Sequence, residues 1–507
     1  MVWSQIEPTP PHISYLLLSS FLISYVLFTN FLRNRLHLSE PPIALLVGIL
    51  LGPYCLGWIT PNFCSAKGCG AGVDFRGSDP GHAGWGWGDN VVQEATRVIV
   101  GIQVFAVGVE LPKFYAGRHW RSVGMMLGPV MLFGWVICAL FCWLIFKVDI
   151  PTAMVISACL TPTDPVLAAS ILSNSQFSER LPKRLRDMLS AESGCNDGIS
   201  FPFLYLGLYF LTQPTNGIAI KDWFLITILW QCVFGTFIGL VIGTTFNKIL
   251  RFSDSRDYVD RAGFVVFYLL LAIFSVGVGS TLGSDDFLVA FGAGYGFARD
   301  GWFSEKIQEA HLPNVIDLML NSAMFVYLGT IMPWEQFTPQ YSMDWITPGR
   351  LLTFLVLVLL FRRIPVMVAI YRWVPDIKTL REAVFCGHFG PMGLGALFLA
   401  IEARAVLENG TSTPDAHPPT YGEPWTSREI AIATVWPVIS FVVFGSTLVH
   451  GLSVLAMSLF THFTDSKDVR APLLDPETDP VENIEEEAER YTDEPSDDLE
   501  AAQGHTR

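Results

Sequence analysis

Two aspartates in apolar surroundings are the residues of this sequence best suited to chemistry. Asp164 lies at the centre of one hydrophobic segment, and Asp197 lies in the next, within the run Ala191-Glu192-Ser193-Gly194-Cys195-Asn196-Asp197-Gly198. An ionisable side chain at membrane depth costs several kcal/mol and is a functional candidate by default. Both carboxylates are therefore candidate ion- or proton-binding groups.

Polar neighbours share the face of Asp197 if its segment is helical. Ser193 and Asp197 are four residues apart, with Asn196 beside them. A carboxylate, a hydroxyl and the carbonyls exposed near Asp164 are hard oxygen ligands that suit Na⁺ or Li⁺. Because a proton can compete with the cation for the same carboxylate, the pattern predicts an exchange site. The alternative is a buried carboxylate held only by hydrogen bonds.

Two adjacent arginines interrupt a later apolar segment. Arg362 and Arg363 stand in the run Leu-Leu-Phe-Arg-Arg-Ile-Pro. A buried guanidinium requires a carboxylate partner, and Glu192 is the natural one. We predict a structural ion pair between Glu192 and Arg363. The alternative is that both arginines reach the cytosolic interface.

Four further residues are candidates for ion entry or pH sensing. Glu110 ends an apolar segment and either lines an entry funnel or lies at the interface. Asp285 and Asp286 either form part of an external cation vestibule or occupy a solvated turn. His388 could sense pH or relay protons, because histidine titrates near neutral pH.

The composition indicates a chain whose main solvent is lipid. Its 507 residues are 51% hydrophobic and 16% charged, whereas soluble domains carry about 25% charged residues. Apolar runs of about 20 residues, each long enough to cross a bilayer, recur along the chain. We predict thirteen segments, near residues 12–31, 42–60, 91–111, 122–146, 151–173, 186–213, 223–247, 262–281, 285–298, 314–332, 350–371, 380–403 and 429–460.

Segments five and twelve contain helix breakers at their centres. The first holds Thr161-Pro162-Thr163-Asp164-Pro165, and the second holds Gly387-His388-Phe389-Gly390-Pro391-Met392-Gly393. Unwound backbone at membrane depth is tolerated only where it faces protein or a water-filled cavity. A pair of broken segments, one in each half of the chain, is the sequence sign of a midplane binding site in a transporter.

The distribution of basic residues predicts the orientation of the chain. One set of alternate connections carries eighteen Lys and Arg residues, four of them within 180–186. The other set carries seven, among them Arg404. The first set should be cytosolic, so the N-terminus lies outside and the C-terminus inside. The Asn-Gly-Thr sequon at Asn409 then lies on the outer face.

Two stretches fall outside the apolar pattern. From Asp465 onward there are 15 acidic and 4 basic residues, a net charge of −11. We therefore divide the chain into a transmembrane domain, 1–462, and a disordered acidic cytosolic tail, 463–507. The stretch between Pro61 and Asn90 holds Cys64, Cys69, Trp85 and Trp87, and it is either an outer loop or an artefact of the gene model.

Together these motifs resemble the fungal plasma-membrane sodium/proton antiporters, within the wider NhaP- and NHE-type exchanger family. The resemblance also covers the runs 103–112 and 361–365, and it spans about positions 12–460. It implies an all-α membrane protein of about thirteen transmembrane helices, with inverted repeats, two broken crossing helices and a homodimeric assembly.

The resemblance also implies roles for the polar residues. Asp197 would bind and release the cation or proton, with Thr163 and Ser193 as further oxygen ligands of Na⁺. Asp164 and Asn196 would stabilise the broken helices, and Glu192 with Arg363 would form the family's buried ion pair.

These observations predict a secondary antiporter and not an enzyme. It would exchange cytosolic Na⁺ or Li⁺, with K⁺ as an alternative, for H⁺ at the plasma membrane, serving sodium tolerance and pH homeostasis. The alternatives are a non-transporting cation sensor on the same fold, a K⁺/H⁺ exchanger of an internal membrane and a transporter of an organic solute. No nucleotide-binding or metal-hydrolase motif is present, so we expect no cofactor and no nucleic-acid partner.

Overall fold

The computed structural model describes residues 10–34, 36, 38–59, 85–112, 115–164, 181–303, 312–340, 342–414 and 425–464. The regular secondary structure of these residues is helical throughout. The main helices are α1 (Pro10–Asn34), α2 (Glu40–Leu51), α3 (Trp85–Glu110), α4 (Trp120–Phe146), α5 (Ile150–Cys159), α6 (Lys183–Thr212), α7 (Asn216–Asp254), α8 (Arg261–Leu282), α9 (Asp286–Ala298), α10 (Leu312–Ile331), α11 (Pro348–Trp373), α12a (Leu380–His388), α12b (Leu394–Asn409) and α13 (Ser427–Thr464).

Several of these helices are suited to crossing a bilayer. Seven are long and apolar enough to do so, and they lie in α1, α3, α4, α7, α8, α11 and α13. Shorter apolar helices, among them α2, α5 and α9, lie between them. The chain is therefore a multi-pass membrane protein, and the all-α fold class is confirmed. Each of the thirteen predicted segments contains helix, while the number of crossings stays a prediction.

Helix ends differ from the predicted segment ends in several places. α3 begins at Trp85, so the helical backbone includes residues that we assigned to the outer loop; residues 60–84 lie outside the described residues. α2 ends earlier than predicted, at Leu51, before Gly52. α13 continues to Thr464, beyond the predicted domain boundary, and the acidic stretch from 465 lies outside the part of the chain that the structure describes.

The predicted position of Arg404 is also wrong. It lies within α12b, is 2% exposed and pairs with Glu408 at 2.8 Å, whereas we counted it in an outer connection. Hydropathy marks only the apolar part of a helix, but backbone hydrogen bonds continue through good helix formers such as Glu, Ala and Arg. The orientation inferred from basic residues therefore has one fewer loop residue on its outer side.

The helices around the site form two groups. α3, α7, α8 and α9 pack mainly against one another, and we call them the first group. α4, α5, α6, α11, α12a, α12b and α13 form the second group. Small residues let the helices of the first group approach closely: a Cβ on Gly292 of α9 would lie 2.8 Å from the Thr236 carbonyl oxygen of α7.

The two helix breaks meet between these groups. α5 ends at Cys159, and residues 162–164 have no helical structure; residues 165–180 lie outside the described ranges. The chain is likewise non-helical at 389–393, between α12a and α12b, as predicted. The Asp164 backbone N–H donates to the Pro391 carbonyl oxygen at 2.8 Å, so one break supplies a hydrogen-bond partner to the other.

Candidate functional site

Asp197 is a buried carboxylate at the centre of the candidate site. It lies in the middle of α6 and is 2% exposed. Neither of its side-chain oxygens has a partner among the described residues. A Cβ on Gly395 of α12b would lie 3.0 Å from Asp197 Cγ, so the glycine lets α12b approach the carboxylate directly. A single charge in such a place requires compensation by a proton or a cation.

Asp164 has a different environment, in which it caps a helix. Its Oδ2 accepts a hydrogen bond from the backbone N–H of Leu394 at 3.0 Å, at the first residue of α12b. The carboxylate therefore lies at the positive end of that helix, where a negative charge is favourable. Gly393 permits this approach, because a Cβ there would lie 2.6 Å from Asp164 Cγ.

Thr163, Ser193 and Asn196 form one buried hydrogen-bond network. The Thr163 and Ser193 hydroxyl oxygens are 2.9 Å apart. Asn196 Nδ2 donates to Thr163 Oγ1 at 2.7 Å, and the Thr163 backbone N–H donates to Asn196 Oδ1 at 3.2 Å. The network joins α6, which carries Ser193, Asn196 and Asp197, to Thr163 in the break after α5.

Both arginines of α11 are buried. Arg363 Nη1 and Nη2 donate to the two carboxylate oxygens of Glu192 at 2.5 and 2.6 Å. This bidentate geometry is the strong form of a guanidinium–carboxylate pair. Arg362 and Arg363 are each 6% exposed, so the alternative in which both reach the interface is wrong.

Arg362 has a function in the fold that the sequence did not indicate. Its guanidinium donates to the carbonyl oxygens of Leu160 and Gly390. Leu160 lies at one helix break and Gly390 at the other. One side chain therefore supplies donors to carbonyls that lost helical partners at both breaks, which membrane-embedded backbone requires.

Asp285 and Asp286 are buried, so the solvated-turn alternative is wrong. Asp285 is 0% exposed, and its Oδ1 accepts hydrogen bonds from the backbone N–H groups of Phe287 and Leu288, each at 3.0 Å. Asp286 is 2% exposed and forms an ion pair with Arg97. Asp285 also borders the site, because a Cβ on Gly198 would lie 3.1 Å from its Oδ1.

Glu110 and His388 lie at helix ends. Glu110 is the last residue of α3, and its side chain is exposed. His388 ends α12a, with its Nε2 2.9 Å from Ser453 Oγ and its carbonyl oxygen 3.0 Å from His450 Nε2. His388 therefore contacts α13, and its imidazole points to Ser453. Entry and pH-sensing roles for these two residues stay predictions.

Of a second polar cluster in the structure, only Asp286 was predicted from the sequence. The cluster consists of Gln93 and Arg97 on α3, Tyr205 on α6, Asp286 on α9 and Glu402 on α12b. Arg97 and Glu402 fall inside predicted membrane segments, so the rule that led to Asp164 would also have found them. We missed them because no motif surrounds them.

Comparison with known proteins identifies the family. The family model described as "Sodium/hydrogen exchanger, transmembrane" matches residues 18–459. The chain belongs to the sodium/hydrogen exchanger family. This family is one of transporters and not of catalytic enzymes.

Fungal members of the exchanger family are similar to this chain. It is 41% identical to Na(+)/H(+) antiporter 2 of Zygosaccharomyces rouxii over 90% of this chain and 54% of that protein. It is 41% identical to the Na(+)/H(+) antiporter of Saccharomyces cerevisiae over 91% and 45%. The chain thus spans about half the length of these two relatives. The Na(+)/H(+) antiporter of Schizosaccharomyces pombe is 33% identical over 90% of this chain and 92% of that protein.

A solved structure shows the same fold. The sodium proton antiporter MjNhaP1 from Methanocaldococcus jannaschii superposes with a TM-score of 0.61 at 16% sequence identity. The match covers 88% of this chain and 99% of that one. The exchanger fold is therefore established for this chain.

Proposed function

We propose that this protein exchanges Na⁺ for H⁺ across a membrane, with Asp197 as the group that binds both ions in turn. The observation that supports the proposal is the buried Asp197 carboxylate, for which the described residues provide no hydrogen-bond partner. An isolated charge in this environment is unfavourable, so the carboxylate is stable either with a proton or with a cation. Occupancy by one ion excludes the other, and this competition couples their movements.

The neighbouring residues fit this role in different ways. Thr163 and Ser193 offer hydroxyl oxygens to a Na⁺ ion at Asp197, which would rearrange their mutual hydrogen bond. Asn196 and Asp164 hold the broken helices in place. Glu192 and Arg363 fix α6 to α11. Glu110, Asp285 and Asp286 would draw cations towards the site.

We further propose how the protein is placed and assembled. Its N-terminus would lie outside and its C-terminus in the cytosol of a plasma-membrane homodimer, with residues 465–507 as an acidic tail. Li⁺ would replace Na⁺, since both are small cations that suit oxygen ligands. The fungal relatives are named Na(+)/H(+) antiporters, and this supports Na⁺ over K⁺ as the transported cation.

Reconstitution into liposomes with a trapped pH dye tests this function. Adding NaCl or LiCl outside should dissipate an imposed pH gradient with the wild type and leave it intact with Asp197→Asn. KCl provides the comparison: a response to K⁺ alone would favour the K⁺/H⁺ alternative. Absence of any cation response in folded wild-type protein would favour the sensor alternative and contradict the proposal.

A further inference from the structure

The polar cluster around Glu402 lies at one end of the boundary between the two helix groups. Asp197 and Tyr205 are both on α6, and Tyr205 is eight residues further along. At 1.5 Å per residue the cluster is displaced by about 12 Å along the helix axis from the level of Asp197. Asp286, the first residue of α9, is at the same end. By the predicted orientation this is the outer end.

The ion site itself lies on the same boundary. Gly194 of α6 faces Val107 of α3, since a Cβ there would lie 2.9 Å from Val107 Cβ. Gly198 of α6 faces Leu288 of α9, where the corresponding distance to Leu288 Cδ2 is 2.9 Å. The boundary between the first and second groups therefore extends from Asp197 to the cluster around Glu402 at the outer end.

Gln93 and Arg97 connect the groups at this point. Gln93 Nε2, on α3, donates to Glu402 Oε2 at 2.8 Å and to the Ser412 carbonyl oxygen at 2.5 Å. Arg97 Nη2 is 3.9 Å from Glu402 Oε2, and the guanidinium lies 5.1 Å from the ring centre of Phe398 on α12b. Gln93 and Glu402 are 1% and 2% exposed, so the contact excludes water.

Each charged residue of the cluster also has a partner in its own group. Arg97 pairs with Asp286 of α9, within the first group. Glu402 Oε1 accepts a hydrogen bond from the Tyr205 hydroxyl at 2.9 Å, within the second group. Separation of the groups would break the contacts of Gln93 and the longer Arg97–Glu402 contact, but Arg97 would keep its ion pair with Asp286 and Glu402 would keep its hydrogen bond from Tyr205. A buried charged group without any partner is the main cost of opening an ionic interface, and the retained contacts reduce this cost.

We propose that Gln93, Arg97 and Glu402 form a latch that holds the two groups together at the outer end of the boundary and opens when the ion at Asp197 is exchanged with the outside. The role of the latch in transport rests on the proposed antiport, but opening of the latch can be tested without a transport assay. Weakening the latch shifts the population towards molecules that are open to the outside.

Accessibility of an introduced cysteine measures this shift. Leu288→Cys places a thiol on the boundary, and a membrane-impermeant cationic methanethiosulfonate is applied to right-side-out and inside-out vesicles. The extent of modification is measured on the peptide that contains position 288, so the native cysteines do not interfere. In this background, Gln93→Leu removes the crossing hydrogen bonds and Glu402→Gln removes the crossing charge.

We expect either variant to raise the modification rate from the outer side by roughly 2- to 10-fold, the effect of one lost hydrogen bond on a two-state population. Arg251→Gln, which removes an exposed ion pair with Asp300 inside the first group, should leave the rate unchanged. The two variants are independent, so the test stands if one fails to fold. Unchanged rates in every folded variant, or equal increases from both sides, would overturn the latch.

A pH-dye assay on the same vesicles separates the two proposals. Failure of wild-type exchange together with one-sided opening would reject the antiport and retain the latch. Normal exchange without one-sided opening would reject the latch alone.

Discussion

At the residue scale, the site depends on the contrast between two aspartates of similar burial. Asp164 is 3% exposed and Asp197 is 2% exposed. The Asp164 carboxylate accepts the backbone N–H of Leu394, whereas the Asp197 oxygens have no partner in the described parts of the chain. The difference in partners, and not in depth, is the reason why we propose a structural role for Asp164 and an ion-binding role for Asp197.

Gly395 should be essential for exchange because it leaves room for the Asp197 carboxylate. The Gly395→Ala variant would place a methyl group 3.0 Å from Asp197 Cγ and force the carboxylate to move. We expect the initial rate of Na⁺-driven proton movement in proteoliposomes to fall by about tenfold or more, since small displacements of a reacting group have effects of this size.

Gly277→Ala is the matched control for Gly395. Gly277 lies in α8, and a Cβ there has no neighbour within 4 Å. The Gly277→Ala variant should retain the wild-type rate of Na⁺-driven proton movement. Equal rates for Gly395→Ala and Gly277→Ala would show that Asp197 does not need its observed position.

The Glu192–Arg363 pair should contribute more to stability than an exposed pair. Glu192→Gln leaves the Arg363 guanidinium buried without its charged partner, and we expect a loss of about 3–5 kcal/mol of unfolding free energy. Arg251→Gln breaks a pair whose side chains are each 40% exposed and should cost about 1 kcal/mol or less. Thermal unfolding in detergent compares the two, and similar transition temperatures would contradict the structural role.

At the element scale, the site is made by two helix breaks whose freed backbone groups find partners across the gap. The Asp164 N–H, the Leu160 carbonyl and the Gly390 carbonyl are all satisfied by residues from another segment. The start of α12a is fixed separately by a capping box between Thr379 and Glu382. Glu382 in turn pairs with Arg184 of α6 at 2.6 Å, which anchors the first half of the broken helix.

Asp164 should stabilise α12b through an acceptor oxygen. The Asn variant keeps an oxygen that can accept the Leu394 N–H, whereas the Ala variant leaves this N–H without a partner. We expect Asp164→Ala to lose about 0.5–2 kcal/mol more stability than Asp164→Asn, the range for helix N-terminal caps. Thermal unfolding of both proteins measures the difference. An equal loss in the two variants would show that the hydrogen bond does not hold the helix.

The sequence was sufficient to predict the breaks but not the contacts that satisfy them. Pro162 and the run from Gly387 to Gly393 are local signals, and local signals determine where a helix cannot continue. The partner of Arg363 could be inferred, since a buried guanidinium requires a carboxylate. The carbonyl acceptors of Arg362 and the cluster around Glu402 depend on which distant segments meet. The spacing of residues along the chain does not indicate which segments these are.

At the scale of the whole molecule, two groups of helices meet at a boundary that contains Asp197. The proposed exchange requires access to Asp197 from one side at a time, and relative movement of the two groups would provide it. The sequence predicted lipid as the solvent, because lipid changes the composition of the whole chain. It did not predict how the helices divide into groups, which depends on side-chain packing between segments far apart in sequence.

The predicted orientation requires the chain ends to lie on opposite sides of the membrane. An epitope tag at the N-terminus should bind antibody on intact cells, while a tag after Arg507 should bind only after permeabilisation. An odd number of crossings places the two ends on opposite sides, and retention of the basic connections in the cytosol determines which end is inside. Detection of both tags on the same side would contradict the thirteen-segment topology.

The central claim is that one carboxylate, Asp197, holds either a proton or a Na⁺ ion. Proton release on adding Na⁺ to purified protein in weakly buffered detergent solution tests this claim directly, because it needs no transport. The account predicts release of about one proton for each Na⁺ bound and weaker Na⁺ binding as the pH falls, since protons compete for the site. Asp197→Asn should release none. Undiminished Na⁺-dependent proton release from folded Asp197→Asn would contradict the account.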